Sequence, residues 1–163
     1  MTVPLLTEEL REFLKKKEFV SIATCDDNGR PNVAPKFLIK VEGDFLYLAD
    51  YVIGRTFQNM KVNPKVSIAT ADTDKLVGYQ INGTGKVLES GEEYFRIFKE
   101  VKDLELHLSV ERIISGIKND KKYSDFELTF PDRLAVFKIK ITEVVRISPA
   151  GILERKLSTD AGA

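Results

Sequence analysis

Side chains capable of chemistry follow one another most closely in the stretch Gly54-Arg55-Thr56-Phe57-Gln58-Asn59. A glycine frees the backbone at the start of a predicted helix, and a guanidinium, a hydroxyl and an amide follow it. Unpaired N–H groups and the positive end of a helix dipole attract an anion, and an arginine fork can hold two phosphate oxygens. The pattern indicates a phosphate site, although a solvated helix cap has the same residue types.

The other candidate groups point to no catalytic centre. His107 is the only histidine and Cys25 the only cysteine, so the chain lacks the ligand clusters of a structural or catalytic metal site, and we predict none. Cys25 follows a strand beside a turn without a nearby basic cluster, which favours a structural thiol over a redox thiol. Gly83-Thr84-Gly85 lacks the lysine of a nucleotide-binding P-loop and predicts a bulge.

Length and charge restrict the class of protein. The chain has 163 residues, which predicts a single domain over residues 1–156 and a flexible tail over 157–163. Lys and Arg total 25, as do Asp and Glu, so no net positive charge favours nucleic acid. No apolar run reaches the ~20 residues of a membrane span. We therefore predict no membrane partner, with peripheral association left open, and one cysteine and a charged first helix predict a cytoplasmic protein.

Hydrophobic periodicity predicts mostly strands, with short helices between them. The predicted helices cover residues 7–17, 54–60, a segment after Ser90, and a separate segment 110–117 capped by Ser109. The predicted strands cover residues 19–24, 31–41, 45–49, 66–70, 76–89 and 134–147, and a polar loop covers 119–125. Six strands without alternating crossover helices favour an antiparallel barrel with helical insertions.

Several motifs occur in an order that resembles a known family. They are Phe19-Val20-Ser21-Ile22-Ala23-Thr24, Asn28-Gly29-Arg30-Pro31, Leu46-Tyr47-Leu48-Ala49-Asp50, Gly54-Arg55-Thr56 and Asn63-Pro64-Lys65-Val66-Ser67-Ile68. The series is similar to that of the pyridoxamine 5′-phosphate oxidase-like FMN-binding split barrels, over about residues 7–100. The resemblance implies a mainly β fold: a six-stranded antiparallel split β-barrel of the FMN-binding type with helical insertions.

The resemblance also implies a cofactor site for FMN. The family's phosphate-gripping basic pair falls on Arg55 and Thr56, with a hydroxyl in place of the second cation, and its helix amide falls on Asn59. The segments that line the flavin ring fall on Ala34, Pro35, Lys36 and Phe37 and on Ala49 and Asp50. Gln80 falls where relatives place a glutamine that reaches the flavin of the other subunit, which implies a homodimer with the site at its interface.

Departures from the family limit the predicted activity. The true oxidase holds its substrate with a C-terminal segment rich in Arg, His and Trp, whereas this chain has no Trp, so we do not expect vitamin B6 oxidation. Residues 104–130 are expected to shape the substrate side. The resemblance implies an FMN-dependent oxidoreductase acting on a small molecule or electron donor, without a catalytic side chain of its own. A deazaflavin reductase, a flavin-binding electron carrier or sensor, and a ligand-free barrel remain as alternatives.

Overall fold

The computed structural model describes residues 4–118 and 132–159, and these residues form three helices and seven strands. In chain order they are α1 Glu8–Lys15, β1 Phe19–Cys25, β2 Pro31–Glu42, β3 Phe45–Asp50, α2 Arg55–Val62, β4 Lys65–Asp72, β5 Val77–Leu88, α3 Glu92–Lys118, β6 Ala135–Ile147 and β7 Leu153–Leu157. The predicted loop 119–125 and residues 160–163 of the predicted tail lie outside the described residues. The domain boundaries therefore stay predictions.

Six strands close into an antiparallel barrel. They follow the order β3-β2-β1-β4-β5-β6, and β3 pairs with β6 to complete the ring. The predicted six-stranded antiparallel barrel with helical insertions is therefore confirmed. Only the first half of β6 pairs with β3, while its second half leaves β3, stays paired with β5 and also pairs with β7. β7 has no counterpart among the predicted strands, because its Glu-Arg-Lys centre is charged and exposed and shows no alternation.

Side chains from the inner barrel faces form the main core. Fully buried positions alternate along the strands and include Ile22, Leu46, Leu48, Ile68, Ile81, Phe137 and Ile139. The predicted first helix is confirmed as α1, whose Leu10 and Leu14 are buried in this core. Thr7 caps α1, since its hydroxyl accepts a hydrogen bond from the Leu10 N–H at 3.2 Å.

Two glycines of β5 allow close approaches that a side chain would prevent. A Cβ on Gly83 would lie 2.3 Å from the Lys140 carbonyl oxygen, and the β5–β6 register shifts between Asn82 and Gly83. A Cβ on Gly85 would lie 2.4 Å from the Met60 sulfur, so this glycine lets α2 sit directly on the barrel. The predicted irregularity is confirmed at Gly83, whereas Gly85 keeps regular pairing with Ile139.

α3 is one continuous helix of 27 residues, which corrects the prediction of two helices. Ser109, predicted as a cap, is buried in the middle of α3. Residues 104–108 are Leu-Glu-Leu-His-Leu, and neither glycine nor proline interrupts the helical backbone there. No helix in the described ranges combines the length and the hydropathy needed to cross a membrane.

Candidate functional site

A cavity of about 280 Å³ lies between the β1–β2 turn and α2. Its polar lining comes from two elements that the sequence separates by more than twenty residues. These lining residues are Asp26, Asp27, Arg30, Asn32, Arg55, Gln58 and Asn59. The cavity thus includes two members of the predicted phosphate site, Arg55 and Asn59.

The first turn of α2 faces this cavity without a protein cap. Gly54 occupies the N-cap position with extended backbone, no side chain caps the helix, and its first turn contains no acidic residue. The N–H groups at a helix start need acceptors, and the helix dipole places partial positive charge there. Arg55 lies exposed at this end, and its guanidinium makes no hydrogen bond or ion pair with the described residues. The arrangement suits an anionic group.

Thr56 and Asn59 lie one layer deeper than Arg55. Both are buried, and the Thr56 hydroxyl accepts a hydrogen bond from the Asn32 Nδ2 at 3.3 Å. The Asn59 Nδ2 donates to the Thr24 hydroxyl at 3.1 Å, and this bond links α2 to β1. Asn59 therefore keeps only its carbonyl oxygen and second amide hydrogen for a ligand, and its amide supports the floor of the cavity.

The predicted ring-lining residues meet where β2 pairs with β3, with Phe37 opposite Ala49. Lys36 is buried, and its Nζ lies 2.6 Å from the Asp50 Oδ2 and 3.1 Å from the Pro35 carbonyl oxygen. The sequence does not predict this ion pair, although it predicts both residues. Ala34 and Pro35 precede the pair on β2, so this predicted segment forms one continuous strip.

Three aromatic rings cover the outer side of this strip, and sequence reasoning missed the cluster. The Phe37 ring lies 4.3 Å from that of Phe19 and 5.5 Å from that of Tyr51, measured between ring centroids. Phe19 and Tyr51 remain exposed. Burial, and then a hydrogen bond to Glu105, raise the pKa of Tyr51 far above its ordinary value, so this phenol stays neutral.

Gln80 lies apart from the other predicted residues. It is exposed on β5, where its Nε2 donates to the Asn82 Oδ1 at 3.2 Å, and β4 and β1 separate it from β2. Within one subunit the structure does not bring Gln80 to the cavity. In the described ranges, no group of three or more His, Cys, Asp and Glu side chains is arranged to hold a metal ion.

Arg30 and Gln58 line the cavity but were not among the predicted site residues. The available signal was the turn itself, since a hairpin of two predicted strands must return Arg30 close to the end of β1. The proximity of Arg30 to α2 depends on barrel closure, which the local sequence does not encode.

Sequence comparison finds similarity to the following two proteins. The protein MJ0282 of Methanocaldococcus jannaschii is 40% identical over 103 residues, which cover 61% of this chain and 67% of MJ0282. The heme oxygenase HutZ of Vibrio cholerae is 39% identical over 64 residues, which cover 39% of this chain and only 35% of HutZ.

Structural comparison identifies the same fold in solved proteins. A pyridoxamine 5′-phosphate oxidase-related, FMN-binding protein of Nostoc punctiforme superposes with a TM-score of 0.61 at 11% identity, covering 98% of this chain and 100% of that protein. The HutZ structure superposes with a TM-score of 0.56 at 19% identity, covering 83% of this chain and 89% of HutZ. At these identities the likeness shows the fold alone.

The sequence profile of the pyridoxamine 5′-phosphate oxidase family matches residues 6–145, which span α1 through most of β6. This range includes β1 to β5, the part of β6 that pairs with β3, the cavity and the Lys36–Asp50 pair. The chain therefore belongs to the pyridoxamine 5′-phosphate oxidase family.

Proposed function

We propose that this protein binds FMN and works as a flavin-dependent oxidoreductase with a small-molecule substrate or electron donor. The observation that carries the proposal is the cavity at the uncapped start of α2, where the Arg55 guanidinium has no partner among the described residues. An unpaired guanidinium beside free helix N–H groups matches the charge and the geometry of a terminal phosphate.

The distance from the cavity to the predicted ring-lining residues of β2 supports an elongated ligand with its anionic end in the cavity. Asn32 lines the cavity, and Lys36 lies four residues further along β2, about 13 Å away at the usual rise per strand residue. A ligand that reaches both places needs a chain between a phosphate and a ring, as FMN has. In this arrangement Arg55 and the first N–H groups of α2 hold the phosphate, and Thr56 offers its hydroxyl hydrogen.

The chain's own residues would act on the ring by charge and position. FMN, when bound, supplies the electron-transfer chemistry, so no protein nucleophile is required. Lys36 carries a positive charge that Asp50 holds in place at 2.6 Å. Because the Lys36–Asp50 pair is neutral overall, the Lys36 Nζ and the β2 backbone N–H groups would act on a bound ring as local hydrogen-bond donors that favour negative charge there.

We propose that the working form is a homodimer in the cytoplasm. The outer barrel face exposes Phe19, Val33, Tyr51 and Gln80. Exposed apolar side chains on the barrel favour a covered surface, and a second subunit would bring its Gln80 to the flavin of the first. A lone Cys25 fits a reducing compartment.

The test is the visible spectrum of the purified protein before and after FMN addition, with dissociation constants for FMN and riboflavin. We expect a yellow complex, and Arg55→Ala should weaken FMN binding by about tenfold to a hundredfold by removing charge-assisted bonds. Arg133→Ala is the matched control, because Arg133 is exposed and pairs with Glu89 at 3.5 Å away from the cavity. Wild-type protein that takes up no FMN overturns the proposal.

Oxidation of a reduced nicotinamide by the yellow protein separates an enzyme from an electron carrier or sensor. Gel filtration tests the assembly, since Val33→Asp should convert a dimer to a monomer without loss of the fold. If the wild-type protein is a monomer, Gln80 has no second subunit to reach and is not part of the site.

Heme binding is a second candidate function, favoured by the 39% identity with the heme oxygenase HutZ over 64 residues. His107 is the chain's only histidine, and its exposed ring lies 3.3 Å from Glu111 on α3. Hemin titration distinguishes the two functions. A stoichiometric Soret band that His107→Ala abolishes, in a protein that takes up no FMN, would favour heme.

A further inference from the structure

The β1–β2 turn places a second arginine at the cavity. Arg30 immediately precedes β2 and lines the cavity opposite α2, so the cavity lies between two guanidiniums from separate elements. The side chain of Arg30, like that of Arg55, makes no hydrogen bond or ion pair with the described residues. Two unpaired guanidiniums at one cavity contrast with the other arginines of the described residues, which form six ion pairs with glutamates and, at Arg11, a hydrogen bond to the Gly43 carbonyl oxygen.

The backbone of Arg30 is fixed although its side chain is free. Its N–H donates to the Asp26 Oδ1 at 2.8 Å, and its carbonyl oxygen accepts from the Asp26 N–H at 3.1 Å. Gly29 completes the turn with a positive φ of 79°. The turn therefore presents the Arg30 guanidinium from a rigid base, which lowers the entropy lost on binding.

A phosphate at this place would be held better by two cations than by one. A phosphate monoester carries about −1.5 to −2 charges at neutral pH. α2 supplies one formal charge, from Arg55, since the next residue is the uncharged Thr56, whose hydroxyl is buried and bonded to Asn32. Arg30 adds a second guanidinium to the cavity, where Asp26 and Asp27 also contribute negative charge.

Two carboxylates share the rim and oppose an anion. The Asp26 Oδ1 accepts from the N–H groups of Asn28 and Arg30, and the Asp27 Oδ1 accepts from the Asn28 Nδ2 at 3.2 Å. Neither carboxylate lies within ion-pair distance of Arg30 or Arg55 among the described contacts. Each carboxylate uses one oxygen within the turn, and neither forms an ion pair with the guanidiniums among the described residues.

We propose that Arg30 is a phosphate-binding residue that, with Arg55 on the opposite wall, clamps the terminal phosphate of the bound flavin. Gln58 lies three residues after Arg55, one helical turn along α2, and its unpartnered amide provides a further donor at the cavity. This inference rests on the proposed function, because it names a residue for the phosphate of the same cofactor.

The experiment measures dissociation constants for FMN and for riboflavin, which lacks the phosphate, in the full chain. Arg30→Ala should weaken FMN binding by about tenfold and leave riboflavin binding unchanged, and Arg30→Lys should fall between Arg30→Ala and wild type. Asp27→Asn should tighten FMN binding, because it removes an opposing charge. Arg133→Ala is the control for a lost surface arginine, and circular dichroism verifies that each variant folds.

The outcomes separate the two proposals. If wild type binds FMN and Arg30→Ala binds it equally well, or loses riboflavin in the same proportion, Arg30 is not a phosphate ligand although the flavin proposal stands. If wild type binds no FMN, the flavin proposal fails, and ³¹P line broadening of inorganic phosphate then tests the cavity directly. Broadening that Arg30→Ala abolishes supports the clamp, and its absence in wild type overturns it.

Discussion

Positive charge collects in two regions of the barrel that differ in how their cations are paired. On the α3 side, three cations surround the Tyr47 ring, and each forms an ion pair with a glutamate. We call them the paired cluster: Lys40, Arg96 and Lys138, with Glu42, Glu93 and Glu100. On the α2 side, Arg30 and Arg55 border the cavity without an acidic partner among the described residues.

The difference separates structural charge from charge available for a ligand. In the paired cluster, Glu93 accepts from the Tyr47 hydroxyl and from the Lys138 Nζ, both at 2.7 Å. These bonds fasten α3 to β3 and β6, so the cations are already used by the fold. At the cavity the same kind of side chain has no acceptor within residues 4–118 and 132–159. Substitutions should therefore affect stability in one region and binding in the other.

Loss of Glu93 should give the largest change in stability. Glu93→Ala removes the acceptor of the buried Tyr47 hydroxyl and of Lys138, and we expect the free energy of unfolding to fall by about 2 kcal/mol. FMN affinity should stay unchanged, which is the opposite of the pattern for Arg55→Ala. Urea denaturation with FMN titration measures both quantities.

Glu92→Ala is the matched control, since Glu92 is the exposed neighbour in the first turn of α3. Equal losses of stability for Glu92→Ala and Glu93→Ala would show that helix charge, and not the paired cluster, accounts for the effect.

The floor of the cavity should show a smaller effect on stability. Thr24→Val keeps the shape of the side chain but removes the acceptor of the buried Asn59 amide, at an expected cost of about 1 kcal/mol. Thermal unfolding measures this cost, with Thr73→Val in the exposed β4–β5 turn as control. A stability loss without a change in FMN affinity would show that Asn59 supports the floor. A loss of affinity would show that its position also matters to the ligand.

Most of the barrel could be predicted from local sequence patterns, whereas elements that depend on distant residues could not. Alternation predicted β1 to β6, and the Thr7 cap with buried Leu10 and Leu14 predicted α1. The sequence did not predict β7, because this short charged strand depends on β6 for its pairing. The sequence predicted two helices in place of α3, because the second half of α3 has a different apolar face from the first half.

The candidate site divides in the same way. Arg55 followed from residue types beside a glycine, since a helix start is encoded locally. Other parts of the site depend on residues at least fourteen positions apart in the sequence. They are the cavity shared by Arg30 and Arg55, the Asn59–Thr24 bond and the Lys36–Asp50 pair. Such contacts exist only once the barrel has closed. The ten predicted cofactor-binding residues themselves stay predictions until a ligand is bound.

Acid should weaken the paired cluster before it affects the cavity, and this is the smallest expected effect. Hydrogen bonds from Lys138 and then Tyr47 lower the pKa of Glu93 below its ordinary value of 4.5, and bonds from Lys40 and Arg96 do the same for Glu42. A carboxyl whose pKa is lowered by folding stabilises the protein fully above the unfolded-state pKa, and it loses that contribution as the pH falls through the folded-state pKa. The free energy of unfolding should therefore decrease between about pH 5 and pH 3. Glu93→Gln, which cannot titrate, should show a shallower decrease in urea denaturation, and an identical slope in both proteins would place the acid sensitivity outside the paired cluster.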